Sequence, residues 1–369
     1  FLPCGCPTCT CNLRIQNNEG GLIMKKFVKA FLTMAMCFSM LSSNALAAES
    51  EIPGLSVLAD EYISVSVSNT EIVYSNLQEF YVAAKEEIPA ISDIELAEYV
   101  MDYTGQSYDG LSDETILETL DFTEISTVEQ IFRAKEDGTV EELTPEEVEI
   151  LLEYSDISPA ASWESDDGYI QITTTASKGT KGSNGTPFTL SGTATWLKYP
   201  AFRFTDTFAI VYGGTFDDSY VITSTFSETG KCSECGKTFS WNGTEKYGPE
   251  TNNQNPHFIE SSDLIELDFA QSHAIGTKCD LKTISCMHLA GLGTPVNFAE
   301  TTKLTSTIRF RVLTSDTTEA RAAYAHTKLS GKITIGGSVS ASGVTPTFSG
   351  VLDIIYSKYT AAPVTLRAN

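Results

Sequence analysis

Hydrophobic positions change their period partway along the chain. Between Thr70 and Ile88, Val73, Leu77, Phe80, Ala84 and Ile88 recur at helical spacing, and Pro89 ends the run. Ser92-Asp93-Ile94-Glu95 has the form of a capping box, in which serine and glutamate each bond the other's backbone amide. The helix it opens carries Leu96, Tyr99, Val100 and Tyr103 on one stripe and ends near Gly105. A short helix is expected after Ser112, burying Ile116, Leu117 and Leu120. Val128 to Ala134 and Thr139 to Leu143 flank Lys135-Glu136-Asp137-Gly138 and read as a hairpin. Thr144-Pro145-Glu146-Glu147 is a second capping box, with Val148, Leu151 and Leu152 behind it. Ala48 to Asp60 shows no period and reads as a tail.

Beyond Asp167 the period becomes twofold. Tyr169 to Thr175 alternates, a glycine- and lysine-bearing loop follows over Ser177 to Thr186, and Phe188 to Leu197, Phe202 to Tyr212 and Tyr220 to Ser227 are β-branched or aromatic runs. Leu264 to Ala270, Leu304 to Leu313, Arg321 to Leu329, Lys332 to Ser340 and Thr347 to Tyr359 continue the pattern. Short strands at close spacing with glycine turns predict an antiparallel sandwich or barrel, and nothing resembles a βαβ repeat. The expected fold class is therefore α+β in two parts: an α-rich unit over 48–154, a linker at 155–167 rich in polar residues with one proline, and a β-rich domain over 168–369. Within that domain the section 230–299 is expected to interrupt the strands.

Charge sharpens the division. Ala48 to Ala160 holds 28 acids and 3 bases, a net of −25, whereas Ala161 to Asn369 holds 19 acids and 17 bases, a net of −2. A block this acidic argues against nucleic acid and anionic membranes as partners of the N-terminal part.

Ahead of both parts lies an export signal. Lys25, Lys26 and Lys29 form a basic head, Ala30 to Leu41 is an uncharged apolar run, and Ala45-Leu46-Ala47 supplies the small residues of a cleavage site. Residues 24–47 read as a signal peptide cut between Ala47 and Ala48, which places the mature chain outside the cell, secreted or held at the surface. The apolar run is shorter than the roughly 20 residues of a bilayer-spanning helix, and no transmembrane anchor is expected downstream. Residues 1–23 are read as an untranslated leader before a start at Met24, because Glu19-Gly20-Gly21 can encode a purine-rich ribosome-binding site. That implies a bacterial source.

Four cysteines remain in the mature chain: Cys232, Cys235, Cys279 and Cys286. An even count in an exported protein points to disulfides. The alternative is zinc: Cys232-Ser233-Glu234-Cys235 resembles a knuckle, with Cys279 and Cys286 as the other ligands and His273 or His288 available nearby. No cofactor is preferred, and zinc is the one candidate.

Catalytic signatures are missing. There is no Gly-x-Ser-x-Gly, no His-Glu-x-x-His, no phosphate loop and no dinucleotide fingerprint. His326 falls in an alternating strand and is expected at the surface or half buried. Asp166-Asp167-Gly168 and Asp217-Asp218 read as turns rather than calcium loops. Trp163, Trp196 and Trp241 could stack on sugars, with Trp196 better placed in a core. The sequence thus points to a non-enzymatic β-sandwich binding an extracellular ligand or cell-surface component. Two alternatives stand beside it: an extracellular hydrolase with a zinc or Cys/His site in 230–299, and an N-terminal unit acting as propeptide or intramolecular chaperone.

Overall fold

The structure, a computed structural model, describes residues 54–368 except 69, 109–110, 136, 156–167, 199–203, 232–235, 237, 251–252, 269–272, 282–284, 288–295, 299, 330, 332 and 351–354. The signal and leader expectations lie outside the described residues, as does the linker beyond Ser155, which ends a helix. The acidic region begins with α1 (Leu55–Tyr62), β1 (Ser64–Ser68), β2 (Glu71–Ser75), α2 (Leu77–Glu87) and α3 (Asp93–Tyr103). It continues with α4 (Asp113–Leu117), a 3₁₀ turn (Glu118–Asp121), β3 (Glu124–Ala134), β4 (Val140–Glu142) and α5 (Pro145–Ser155).

Then come β5 (Gly168–Lys178), β6 (Thr186–Lys198), β7 (Thr205–Tyr212), β8 (Thr215–Phe216), β9 (Ile222–Lys231), β10 (Thr238–Glu250), β11 (Asn253–Glu260), β12 (Ile265–Asp268) and β13 (Ala274–Asp280). The last strands are β14 (Ser285–Met287), β15 (Val296–Phe298), β16 (Glu300–Thr314), β17 (Thr318–Thr327), β18 (Ile333–Ser340), β19 (Gly343–Gly350), β20 (Ile355–Thr360) and β21 (Val364–Leu366). The chain is mostly antiparallel β-sheet with few helices.

Local signals explain several elements. Ser92 and Glu95 close the reciprocal capping box of α3. The Thr144 amide donates to Glu147 Oε2 at 2.9 Å, and the Glu147 amide returns a bond to Thr144 Oγ1 at 3.3 Å. Gly138 takes φ 80° in the turn joining β3 to β4.

Other expectations are corrected. The run from Thr70 is not one helix. Its β-branched and aromatic start, Glu-Ile-Val-Tyr-Ser, forms β2, and Asn76 at φ 61° turns the chain into α2. The expected tail folds as α1 because Leu55, Leu58 and Ala59 find a core. The section after Gly230 contains the 13-residue β10, whose glycines and polar residues after Trp241 left it no sustained apolar period. Thr347 to Tyr359 supplies two strands, not one.

A large sheet runs β1-β2-β3-β5-β6-β16-β9-β10-β11, and a smaller one runs β12-β13-β7-β17-β20, with β21 on β17. Their facing side chains form one cluster: Ile172, Leu190, Trp196, Ile308 and Phe310 from the first, Phe208, Ile210, Ile275, Tyr324 and Tyr359 from the second. The outer face of the small sheet is covered by the β18–β19 hairpin, where Ile333, Ile335 and Val344 pack on Ala209, Val211 and Ala323. The α3 end lies on the outer face of the large sheet, where Thr127 Oγ1 donates to the Thr104 carbonyl at 3.2 Å. β3 pairs with β5 from Glu124↔Lys178 to Ala134↔Gly168, so the acidic region contributes strands to the sheet that continues through β6 and β16.

Candidate functional site

Strand parity places one polar cluster inside the core. On β7, Asp206, Phe208, Ile210 and Tyr212 share a face, so an aspartate points where its neighbours are apolar. Asp206 is completely buried and satisfied by donors from β17. Tyr324 OH donates to its Oδ2 at 2.6 Å, and the Thr327 amide donates to Oδ1 at 3.1 Å. His326 Nδ1 lies 2.9 Å from both carboxylate oxygens. From the large sheet, Trp196 Nε1 donates to Tyr324 OH at 3.0 Å, and the Trp196 ring stands edge-on to His326 at 5.4 Å. Burial and the Asp206 carboxylate hold the Tyr324 phenol well above its ordinary range.

His326 is therefore not at the surface. β17 is an interior strand covered on both faces, by the main core and by the hairpin, so its alternation separates two buried faces. Trp196 is in the core, as its strand position suggested.

Cys279 stands opposite Asp206 in the β13–β7 register. Its thiol is free and buried, with Sγ 3.2 Å from Ser306 Oγ. Burial pushes it up to about 12, and the Asp206 carboxylate adds to the shift. A Cys/His pair needs the imidazole against the sulfur. Here Asp206 on β7 lies between them, placing β13 and β17 about 9–10 Å apart across the sheet. The cluster is closed to substrate and its thiol stays protonated.

Cys232, Cys235 and His288 lie outside the described residues, and of the Cys286 side chain nothing is described; its backbone pairs with Asn297 in β14–β15. His273 precedes β13 in an exposed left-handed turn, φ 56°, about 20 Å along the strand from Cys279. The structure does not bring those two together. Among the described residues no cluster of three or more His, Cys, Asp or Glu is arranged to hold a metal. Asp217 Oδ1 accepts the Ser219 amide at 3.1 Å, a turn as expected. Trp241 lies beside Phe239, ring centroids 5.9 Å apart and nearly parallel.

The solvent side of the large sheet carries a second polar array. Register aligns Glu129, Thr173, Thr193, Thr307, Thr225 and Thr244 across six strands. The adjoining row is Gln171, Thr195, Thr305, Ser227 and Asn242. Thr193 and Thr307 hydroxyls are 3.3 Å apart, and those of Thr195 and Thr305 are 3.4 Å apart. Most of these side chains are half-exposed. At the head of the first row, burial pushes the Glu129 carboxyl up to about 7, against hydrogen bonds with Gln171 and Thr173 that pull it down. Sequence reading missed Asp206, Glu129 and this array. The available signal was parity: Thr173/Thr175, Thr193/Thr195, Thr305/Thr307 and Thr223/Thr225 repeat Thr-x-Thr on four strands.

No family model matches the chain, and no curated protein matches it. A solved structure titled "Pore forming protein" aligns over 66% of this chain and 90% of its own, at 7% identity and a TM-score of 0.18. Another, titled for manganese lipoxygenase of Gaeumannomyces graminis and zonadhesin of Komagataella pastoris, aligns over the same shares at 10% identity and a TM-score of 0.18. Neither likeness bears on fold or function.

Proposed function

We propose that this is an exported, non-enzymatic β-sandwich protein that binds an extracellular ligand or a cell-surface component through the threonine-bearing face of its large sheet. The observation carrying the reading is the contrast between the two polar arrays. The titratable cluster around Asp206 is sealed within the core. The hydroxyl rows lie on a broad face with half-exposed donors and acceptors. Two sheets sharing one core, each with edge strands that find no further partner among the described residues, support a sandwich over a closed barrel. Pairing of β3 with β5 supports an acidic region that stays with the domain after export. No helix among the described residues is long and apolar enough to cross a membrane, which fits release or non-covalent retention.

The test is co-sedimentation of the protein with cells of its source, comparing the natural chain with a Thr193→Glu/Thr307→Glu variant. The expected result is loss of the variant to the supernatant with its melting transition preserved. Equal retention of both proteins would remove the face from consideration.

A further inference from the structure

Beneath the 3₁₀ turn, the outer face of the large sheet holds two arginines that share one carboxylate. Arg309 on β16 is only 2% exposed, flanked in register by Ser191 and Thr223. Its Nε donates to Tyr220 OH at 3.2 Å. Its Nη2 stands 3.6 Å from Glu118 Oε2, an ion pair too long for a hydrogen bond. Neither Nη1 nor Nη2 has a hydrogen-bond partner among the described residues. Arg311, two residues along the same face, reaches the same Glu118 Oε2 at 3.4 Å. Its guanidinium lies 4.2 Å over the Tyr220 ring, and its Nε reaches Thr189 Oγ1 at 3.4 Å. Tyr220 OH donates to Glu118 Oε2 at 2.8 Å.

A purely structural arginine–carboxylate pair looks different in this same protein. Glu71 engages Arg367 and Thr365 with both oxygens, and the shortest contact is 2.8 Å. Glu118 instead offers one oxygen to two hydrogen-bond donors and a longer ion pair, and leaves the buried fork of Arg309 unmatched. Two guanidinium groups against one carboxylate carry a local net charge of +1 in a chain of net charge −24. Burying unbonded guanidinium N–H groups is costly, and that fork geometry suits oxyanions.

We propose that Arg309 and Arg311 form a binding site for a tetrahedral oxyanion, a phosphate or sulfate group. Glu118 occupies the site as an internal carboxylate that the incoming anion displaces. The side chains of Glu118 and Arg311 are 28% and 27% exposed, so the entrance lies on their side and Arg309 forms the floor. A tetrahedral group has more oxygens than a carboxylate, so it can meet both forks and still accept from Tyr220 OH, as Glu118 does now. The site lies on the same outer face as the threonine rows, two residues along β16 from Thr307, but uses none of their hydroxyls and does not depend on their role.

The test titrates the mature protein with inorganic phosphate, sulfate, acetate and chloride at matched ionic strength, following melting temperature and calorimetric heat. Phosphate and sulfate are expected to stabilise the natural protein. Glu118→Gln is expected to bind them about tenfold more tightly, since its competing charge is gone. Arg311→Gln, at a half-exposed position, is expected to lose the heat while staying folded. A response to phosphate alone would identify phosphate, rather than sulfate, as the group bound; equal responses to phosphate and sulfate would identify the tetrahedral anion as such. If the natural protein shows no heat with millimolar phosphate or sulfate, or if acetate or chloride acts equally, the proposal is overturned and Glu118 is a tether for the turn. The natural protein and Arg311→Gln decide the matter even if Glu118→Gln fails to fold.

Discussion

On the core side, the Asp206 carboxylate has Tyr324, Thr327 and His326 around it, all within 3.1 Å. On the solvent side of the large sheet, Thr193 and Thr307 face each other at 3.3 Å and Thr195 and Thr305 at 3.4 Å, with water available to all four. The chemistry is similar; the energetic stakes are not. A buried polar group without its partners loses hydration that nothing replaces, whereas a half-exposed hydroxyl exchanges one partner for water at little cost. The inner cluster therefore fixes how the two sheets meet. The outer rows are free of that duty and available for recognition.

Removing the centre of the inner cluster should have the largest effect. Asp206→Ala leaves the Tyr324 hydroxyl, the Thr327 amide and His326 Nδ1 without their acceptor, and is expected to cost roughly 3–5 kcal/mol, measured by denaturant unfolding. A loss under about 1 kcal/mol would mean that water reaches the cluster. The Cys279 thiol reports on the same seal. With its pKa pushed up to about 12 from 9.0, its thiolate fraction at neutral pH falls about a thousandfold. Native protein should leave Cys279 unalkylated, and protein denatured without reductant should label it. Failure to label after denaturation would instead place Cys279 in a disulfide.

Glu129 tests the boundary between the two environments. Its folded-state pKa, about 7, lies above the unfolded value of 4.5, so the folded protein holds an extra proton between those values. Stability should therefore fall as pH rises from about 4.5 to 7 and level off above, by about 1–3 kcal/mol. The contribution should vanish in Glu129→Gln; melting temperatures across that window for both proteins check it. An unchanged slope in the variant would show that Glu129 is well hydrated. The smallest effect belongs to the outer rows: Thr193→Val should change stability by no more than about 0.5 kcal/mol. A larger loss would break the comparison by showing that the hydroxyl ladder carries structural weight.

Much of the fold was legible where the signal is local. Ser92 with Glu95, and Thr144 with Glu147, announce helix starts within four residues. Alternation from Tyr169 to Thr175 announces β5. Polar strands were hidden, because β10 has too few apolar residues to show a period and needs β9 beside it to be a strand at all. The candidate sites were less visible still. Asp206 and His326 are 120 positions apart, and Glu118 and Arg311 are 193 apart. Sheet register joins the first pair, and packing of the 3₁₀ turn on the large sheet joins the second; both depend on the whole pattern of pairing.

Glu71 on β2 has a temporal consequence. Its carboxylate is nearly buried, and the donors that satisfy it come from Thr365 and Arg367, 294 and 296 positions later. While the chain is being synthesised, Glu71 stays hydrated and its strand cannot be buried with its partners until residues 364–367 have emerged. Closing a loop of this length is entropically slow, and domains rich in such distant pairings fold late. Folding of this protein should accordingly be post-translational, leaving the nascent chain extended for as long as it takes to make its last strand.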